Sequence, residues 1–173
     1  MPIVSILRSM LDPRGRCNRK GLLIAAVVML VVEAVAGLGL WAAERALNDP
    51  ILLPFKAAMI YLAVSAAAQR LHDLGLSAWR IGWATLAIFG WCIAVTLAAM
   101  VTFGPERMAP GEAGFTIVFA SLLMPMLVML LWLHFAPGEP GSNRFGPEPE
   151  ALGFARHVGR GREVPGGAAG AAA

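Results

Sequence analysis

The sequence predicts an all-α membrane protein, with four transmembrane helices in an up-down bundle and both termini cytoplasmic. The first observation behind this prediction is a composition of 58% hydrophobic and only 14% charged residues, whereas an average soluble domain has about 25% charged residues. A chain of 173 residues could not bury so much apolar surface inside one soluble core. The other two observations are the spacing of the apolar segments and the placement of the basic residues.

Four apolar segments each approach or exceed the ~20 residues with which an α-helix crosses a hydrocarbon core. They cover residues 21–43, 51–68, 79–103 and 114–136. None shows the two-residue alternation of a membrane β-strand, so each is predicted to be a helix. The second is the shortest and contains Pro54, which costs little in a first turn because the N–H there has no helical partner. Short connections make successive helices antiparallel, which gives the up-down bundle.

The basic residues lie almost entirely on one side of the predicted bundle. Eleven lysines and arginines precede the first apolar segment, separate the second from the third, or follow the fourth, while the alternate connections hold only Arg45 and Arg107. Cytoplasmic loops of membrane proteins carry such an excess of basic residues. The sequence therefore places both termini, and the connection between the second and third helices, in the cytoplasm.

These assignments divide the chain into four parts. Residues 1–20 form a basic cytoplasmic segment, residues 21–136 the transmembrane domain, and residues 137–150 a cytoplasmic motif segment. Residues 151–173 are rich in glycine, alanine and arginine, so we expect a disordered tail.

Two charged residues lie inside predicted spans, Glu33 in the first and Lys56 in the second. A charged side chain at mid-bilayer costs about 2.5–3.5 kcal/mol on insertion scales. In antiparallel helices rising 1.5 Å per residue, Glu33 would lie ~15 Å and Lys56 ~7 Å below the outer helix ends. Two interpretations stay open: a proton or ion relay in a small transporter or channel subunit, or a protonated Glu33 held by interhelical hydrogen bonds while Lys56 reaches outward.

Three polar blocks carry a resemblance to a known family. "GRCNRKG" before the first span, "RLHDLGLSAW" between the second and third, and "PGEPGSNRFGPEP" after the fourth resemble the blocks GRxxRxxFW, RxHDxGxSGWW and PGxxGxNRYGPDP of the YhaH-like bacterial inner-membrane family, domain of unknown function 805. The likeness covers about residues 15–149. It implies a multi-pass helical protein of the bacterial inner (plasma) membrane and no particular reaction.

The chain departs from the family pattern at a few positions. Gly21 and Leu22 stand where the family usually has bulky aromatic residues, and Ala78 replaces a motif glycine. Arg80 stands in place of the second tryptophan, and Phe145 in place of a tyrosine. A role that depends on those phenol or indole groups is therefore not expected here.

All three blocks fall on the predicted cytoplasmic face, so their side chains can converge at headgroup depth. The candidate site residues are Arg16, Arg19, Arg70, His72, Asp73, Gly75, Ser77, Trp79, Asn143, Arg144 and Gly146. One use is a structural lock: Asp73 pairs with the arginines, Gly75 supplies a special backbone angle, and Ser77 caps the third helix. Trp79 then anchors at the interface, and Asn143 with Gly146 turns the following segment.

A second use of the same residues is recognition of an anionic headgroup, because arginine suits phosphate and cytoplasmic leaflets are anionic. Catalysis or metal binding is the third and least favoured use. His72 and Asp73 are adjacent, so on a helix their side chains point about 100° apart. They therefore cannot act together as a general base and the carboxylate that orients it. No catalytic motif occurs, so we expect a protein that is not an enzyme, with no catalytic residues, no metal and no cofactor.

The predicted partners follow from this placement. We expect membrane lipids, with anionic headgroups at the cytoplasmic face, and either a second copy of the chain or another membrane protein. We expect no nucleic acid, because the basic residues lack a folded module or an aromatic platform. A structural or lipid-binding membrane component is thus the favoured class, with a Glu33-based transporter or channel subunit as the alternative.

Overall fold

The computed structural model of the chain describes residues 8–43, 50–150 and 153–155. Four long helices make up most of it, with a short 3₁₀ turn before the second and another before the fourth. The elements in chain order are β1 (Arg16–Cys17), α1 (Arg19–Ala42), α2 (Leu53–Asp73), α3 (Trp79–Phe103), α4 (Ala113–Phe135) and β2 (Phe154–Ala155). The prediction of an all-α protein with four long apolar helices is confirmed.

All four helices are long and apolar enough to cross a membrane. The bounds of α1, α3 and α4 lie close to the predicted spans, and Pro54 lies in the first turn of α2 as expected. The end of α2 differs, because this helix continues to Asp73, beyond the predicted end at residue 68. Its last turn is stabilised by an ion pair between Arg70 and Asp73 at positions i and i+3. The polar block before α3 therefore begins on a helix.

Much of the bundle surface is apolar. Large side chains such as Leu30, Ile60 and Phe89 are exposed along three different helices. A soluble protein rarely exposes contiguous apolar surface of this extent. The exposed faces are those that hydrocarbon would cover.

The buried core is concentrated at the end of the bundle where α1 and α3 begin and α2 and α4 end, which we call the motif end. Segments outside the helices contribute to this core. Its members are Met10, Cys17, Leu22, Ala25, Ala66, Leu71, Leu133 and Phe154. The chain before α1 and the chain after α4 are therefore both packed onto the ends of the helices.

The two short strands bring the distant ends of the described chain together. β1 and β2 pair antiparallel, with Arg16 opposite Ala155 and Cys17 opposite Phe154. The expectation of a disordered tail is thus wrong for residues 153–155, while 151–152 and 156–173 lie outside the described residues. A Cβ at Gly21 would lie 2.4 Å from the carbonyl oxygen of Gly153. A bulky aromatic residue at position 21 would therefore exclude the tail strand.

Candidate functional site at the motif end

Asp73, the last residue of α2, lies at the centre of a buried ionic cluster. Its carboxylate accepts a hydrogen bond from Arg16 Nη2 at Oδ1, 3.0 Å away, and another from Arg70 Nη1 at Oδ2. The side chains of both arginines are 0% exposed, and that of Asp73 is 3% exposed. Because removing a charge from water is costly, such a cluster persists only when each member is paired and hydrogen-bonded.

Arg16 makes three hydrogen bonds to the segment that follows α4. Its Nη1 donates to the carbonyl oxygens of Gly141, at 2.6 Å, and Gly146, at 3.3 Å, and its Nη2 donates to that of Glu139 at 2.8 Å. These carbonyls belong to non-helical backbone, which has no helical donors of its own. Within the described residues, Arg16 Nε is the buried side-chain nitrogen left without a hydrogen-bond partner.

Arg70 connects α2 to the carboxyl end of α4. Its Nε donates to the carbonyl oxygen of Leu133 at 2.8 Å, and its Nη2 to that of Ala136 at 2.5 Å. The last carbonyls of a helix have no partner within the helix and carry partial negative charge. Arg19 Nε donates to Ala136 as well, at 3.1 Å. Arg16, Arg70, Asp73 and these backbone carbonyls of residues 133–146 are called the clamp below.

A second group of contacts surrounds His72. Its ring stacks on Phe145, with centroids 4.1 Å apart and planes 10° from parallel, and the guanidinium carbon of Arg144 lies 4.6 Å from the centroid of Phe145. His72 Nδ1 is 3.1 Å from the carbonyl oxygen of Gly15, which can only accept, so the proton lies on Nδ1. Asn143 Nδ2 donates to the backbone carbonyl of His72 at 2.9 Å. These groups bind the α2–α3 connection to both terminal segments.

Two glycines allow the segments to approach this closely. Gly75 has a φ of 72°, and a Cβ there would lie 2.1 Å from Glu139 Oε1. A Cβ at Gly138 would lie 2.2 Å from Asp73 Oδ2. Gly75 and Gly138 therefore lie on the two sides of the close approach between the end of α2 and the segment after α4.

The sequence reading missed a row of polar residues on α2. Tyr61, Ser65 and Gln69 are four residues apart, so they lie on one face of the helix. Their side chains donate to backbone carbonyls of the segment before β1: Tyr61 to Leu11, Ser65 to Met10, and Gln69 to both Ser9 and Asp12, each at 2.7 Å. The signal was present as a four-residue spacing of hydrogen-bonding side chains on an apolar helix.

Cys17 is fully buried beside the clamp. Burial raises the pKa of its thiol from 9.0 to about 12, while the nearby Arg70 lowers this pKa and Asp73 raises it. A thiol with so high a pKa stays protonated at neutral pH, and the thiolate is the reactive form. Cys17 is thus a packing residue rather than a nucleophile.

The structure brings most of the predicted site residues together. The clamp and its surroundings contain Arg16, Arg70, His72, Asp73, Asn143 and the backbone of Gly146. In addition, Arg144 Nη2 donates to the carbonyl oxygen of Gly75 at 3.0 Å. Trp79 is 73% exposed at the start of α3. The prediction for Ser77 needs correction, because Ala78 is the N-cap of α3 and the Ser77 hydroxyl accepts only a long bond of 3.4 Å from Trp79 N.

Glu33 and Lys56 lie away from this cluster. Both are exposed, and both line a cavity of about 320 Å³ between α1 and α2. Within the described residues, ion pairs join Asp73 to Arg16 and Arg70, and none joins Glu33 to Lys56.

Two further cavities adjoin the motif end. The larger, about 510 Å³, has walls of mixed charge, including Arg19, Lys20, Glu139, Glu148 and Glu150. The smaller, about 240 Å³, is an apolar groove between α2, α3 and α4 that we call the lateral groove. It is lined by Ala67, Leu71, Arg80, Ile81, Ala84, Thr85, Ile88, Met129, Trp132 and Leu133.

Comparison with known proteins bears on the three blocks that form this site. No match was found among curated proteins or among solved structures. The model of one protein family matches residues 10–147, a range that contains β1, all four helices and the turn at Asn143–Gly146. The chain therefore belongs to the family described as Protein of unknown function (DUF805).

Proposed function

We propose that the protein is an integral membrane protein that binds an anionic phospholipid, with an acyl chain in the lateral groove and the headgroup phosphate at Arg80. The observation that carries this proposal is an apolar groove on a lipid-facing surface with an arginine at its mouth.

The shape of the groove suits a chain lying along the helices. On α3 it is lined from Arg80 to Ile88, which corresponds to about 12 Å along the helix axis at 1.5 Å per residue. The hydroxyl of Thr85 donates to the carbonyl oxygen of Ile81 at 2.8 Å, so it leaves the wall apolar. Met129 and Trp132 line the groove and are also partly exposed on the outer surface of α4. The groove is therefore accessible from the hydrocarbon.

Arg80 has a position that favours an anion beside it. It lies in the first turn of α3, which contains no acidic residue and whose N-cap supplies no side-chain acceptor. A cation at this end of a helix is opposed by the helix dipole, whereas an anion is favoured. A phosphate at Arg80 satisfies the guanidinium and the dipole together. Trp79 and Trp83 are exposed at the same level, where tryptophan is enriched in membrane proteins.

The clamp supports the groove without binding the lipid itself. The guanidinium groups of Arg16 and Arg70 already donate to Asp73 and to backbone carbonyls. The Arg70 to Leu133 hydrogen bond joins α2 to α4 beside Leu71 and Leu133, two residues of the groove wall. The clamp is thus a positioning device, while the larger cavity, with carboxylates among its walls, is less suited to a phosphate.

The proposal includes the orientation inferred from the basic residues. With the motif end cytoplasmic, Arg80 lies in the leaflet that carries anionic lipids and a negative surface potential. The likeness to an inner-membrane family supports placement in the bacterial inner membrane.

Trp132, which lines the groove, provides a direct test. The other tryptophans are replaced by phenylalanine, and the full chain is reconstituted in phosphatidylcholine vesicles with increasing brominated phosphatidylglycerol, which quenches tryptophan on contact. We expect a preference for phosphatidylglycerol that R80A reduces about fivefold, since an arginine near an anionic surface contributes about 1 kcal/mol. R107A, which removes an exposed arginine outside the groove, is the matched control.

A second pair of variants tests the path of the acyl chain. A84L fills the groove from α3, whereas A87L adds the same atoms at an exposed position outside the lining. We expect A84L to reduce quenching by brominated lipid of either headgroup, and A87L to leave it unchanged. Equal effects of R80A and R107A, or of A84L and A87L, would contradict the proposal.

A transporter or channel subunit using Glu33 is the second candidate, favoured by the cavity that Glu33 shares with Lys56. It requires E33Q to abolish ion or proton flux into proteoliposomes while the protein still folds. Because the two side chains are exposed on the outside of a single chain, we place this candidate second.

A further inference from the structure

We propose that a second copy of the chain docks on the surface of α1 and α2 that carries Glu33 and Lys56, forming a parallel dimer in which Glu33 of each copy pairs with Lys56 of the other. This surface, the Glu33 face, consists of Leu30, Glu33 and Gly37 on α1 and Lys56, Ile60 and Ala63 on α2. The proposal is independent of the lateral groove.

The first argument is the exposure of two charges within the spans. Glu33 and Lys56 are both on the surface of the single chain, inside helices long enough to cross a membrane. Ionisable residues in such segments almost always face the interior of an assembly or pair with one another. Among the described residues neither forms an ion pair, so a partner that brings the opposite charge to this surface is favoured.

The second argument is symmetry. Copies of one chain insert in the same orientation, so the two-fold axis of a dimer runs along the membrane normal and preserves the depth of every residue. Glu33 and Lys56 line one cavity, and in the observed helices they lie about 21 and 26 Å from the motif end at 1.5 Å per residue, so their depths differ by about 5 Å. A two-fold axis beside that cavity brings the carboxylate of one copy opposite the ammonium of the other, and forms this pair twice.

The third argument is close approach. Gly37 follows Glu33 by one turn on the same face of α1, and a Cβ built there would have no atom within 4 Å. Ala63 provides a small exposed side chain on α2. Small residues at an interface allow transmembrane helices to approach closely, which strengthens packing and interhelical pairing. A second copy is the occupant because the face carries both the charge and its complement.

The experiment measures energy transfer between donor-labelled and acceptor-labelled copies of the full chain, reconstituted together in lipid vesicles at increasing dilution. G37L blocks the proposed interface, while G90L adds the same side chain at a glycine of α3 that is equally open. We expect transfer for the wild type and for G90L, and a fall to background for G37L. R80A should transfer like the wild type, which separates this proposal from the lipid site.

Charge reversal tests whether the pair forms between copies. Each of the variants E33K and K56E carries a single sign of charge on this face, so like copies repel and unlike copies attract. We expect little transfer within either variant alone and recovery to near wild-type levels when the two are mixed. Pairing of Glu33 with Lys56 inside one copy would give no such recovery.

Four results would overturn the proposal: no transfer by the wild type above background, equal loss for G37L and G90L, unchanged transfer by G37L, or no recovery on mixing E33K with K56E. Helix content by circular dichroism, measured on every variant, identifies one that has failed to fold, and A63L then tests the same surface from α2. Transfer by A63L equal to that of the wild type would also overturn the proposal.

Discussion

Charged side chains are buried at the motif end but exposed on the outer faces of the spans. At the motif end, two arginines and an aspartate are almost completely buried and surrounded by hydrogen-bond partners. Midway along α1 and near the start of α2, Glu33 and Lys56 are exposed on a surface that hydrocarbon would cover. The apolar residues show the same pattern, being packed at the motif end and exposed along the spans.

The difference shows which part of the fold is complete within one chain. The clamp pairs its own charges, since Asp73 and the carbonyls at and after the end of α4 accept from both guanidinium groups, with Arg16 Nε the one buried side-chain nitrogen of the clamp left without a partner among the described residues. The Glu33 face does not, because among the residues that the structure describes its two charges form no ion pair. The first region therefore completes its ion pairs within one chain, whereas a partner is expected at the second.

The same acid-to-amide change made in both regions tests most directly whether the buried charge contributes more to stability than the exposed one. D73N leaves two buried arginines without their carboxylate, and removal of one partner from a buried pair typically costs about 3–5 kcal/mol. E33Q removes an exposed charge, so we expect a change within about 0.5 kcal/mol. Thermal unfolding in excess detergent, in which copies are diluted apart, measures both. A loss for D73N no larger than that for E33Q would show that the clamp does not hold the motif end.

Glycine substitutions test the same difference in the backbone, at one glycine of the motif end and one on the open surface of α3. G75A places a side chain at a positive φ and against Glu139, so we expect a loss of about 1–2 kcal/mol in the free energy of unfolding. G82A, in α3, meets open space and should raise the free energy of unfolding by about 0.5–1 kcal/mol because alanine loses less entropy in a helix. The same unfolding measurement distinguishes them by sign. Equal effects would contradict the close contact at Gly75.

The smallest effect at neutral pH concerns Cys17, studied in a C92S background so that one thiol remains. Because burial raises its pKa in the folded state to about 12, above the ordinary 9.0, the stability from the protonated thiol is fully present below pH 9 and is lost as the pH rises toward 12. We expect no maleimide labelling of the folded protein at pH 8, and full labelling after denaturation. C17A should lack the alkaline loss, and rapid labelling of the folded protein would show that the thiol is not buried.

Much of the fold could be predicted from the sequence because apolar length is a direct physical requirement of crossing a bilayer. The positions of α1, α3 and α4 followed from it within about two residues. The end of α2 did not, since the polar residues after Ala68 continue the helix through the Arg70–Asp73 pair. Hydropathy reports where apolar residues stop, and a helix with partners for its polar side chains does not have to stop there.

The sequence predicted which residues come together in the site, but not that their side chains are buried. Three ordered blocks indicated that Arg16, Asp73 and Asn143 come together, and the structure places them in contact with common neighbours. Charged residues in connections are usually solvated, so nothing in the sequence indicated that Arg16 and Arg70 would be fully enclosed. The pairing of β1 with β2 was equally invisible, because strands of two residues show no alternation.

The hydrogen bond from Arg16 to Gly146 spans 130 positions of the chain. At a synthesis rate of about 5–20 residues per second, the acceptor emerges on the order of ten seconds after the donor. Until then, Arg16 must remain solvated or held by other molecules, and the clamp closes only when the fourth helix has been inserted. The clamp can therefore form only after all four helices have been synthesised, and a chain that stalls earlier leaves Arg16 and Arg70 without these acceptors.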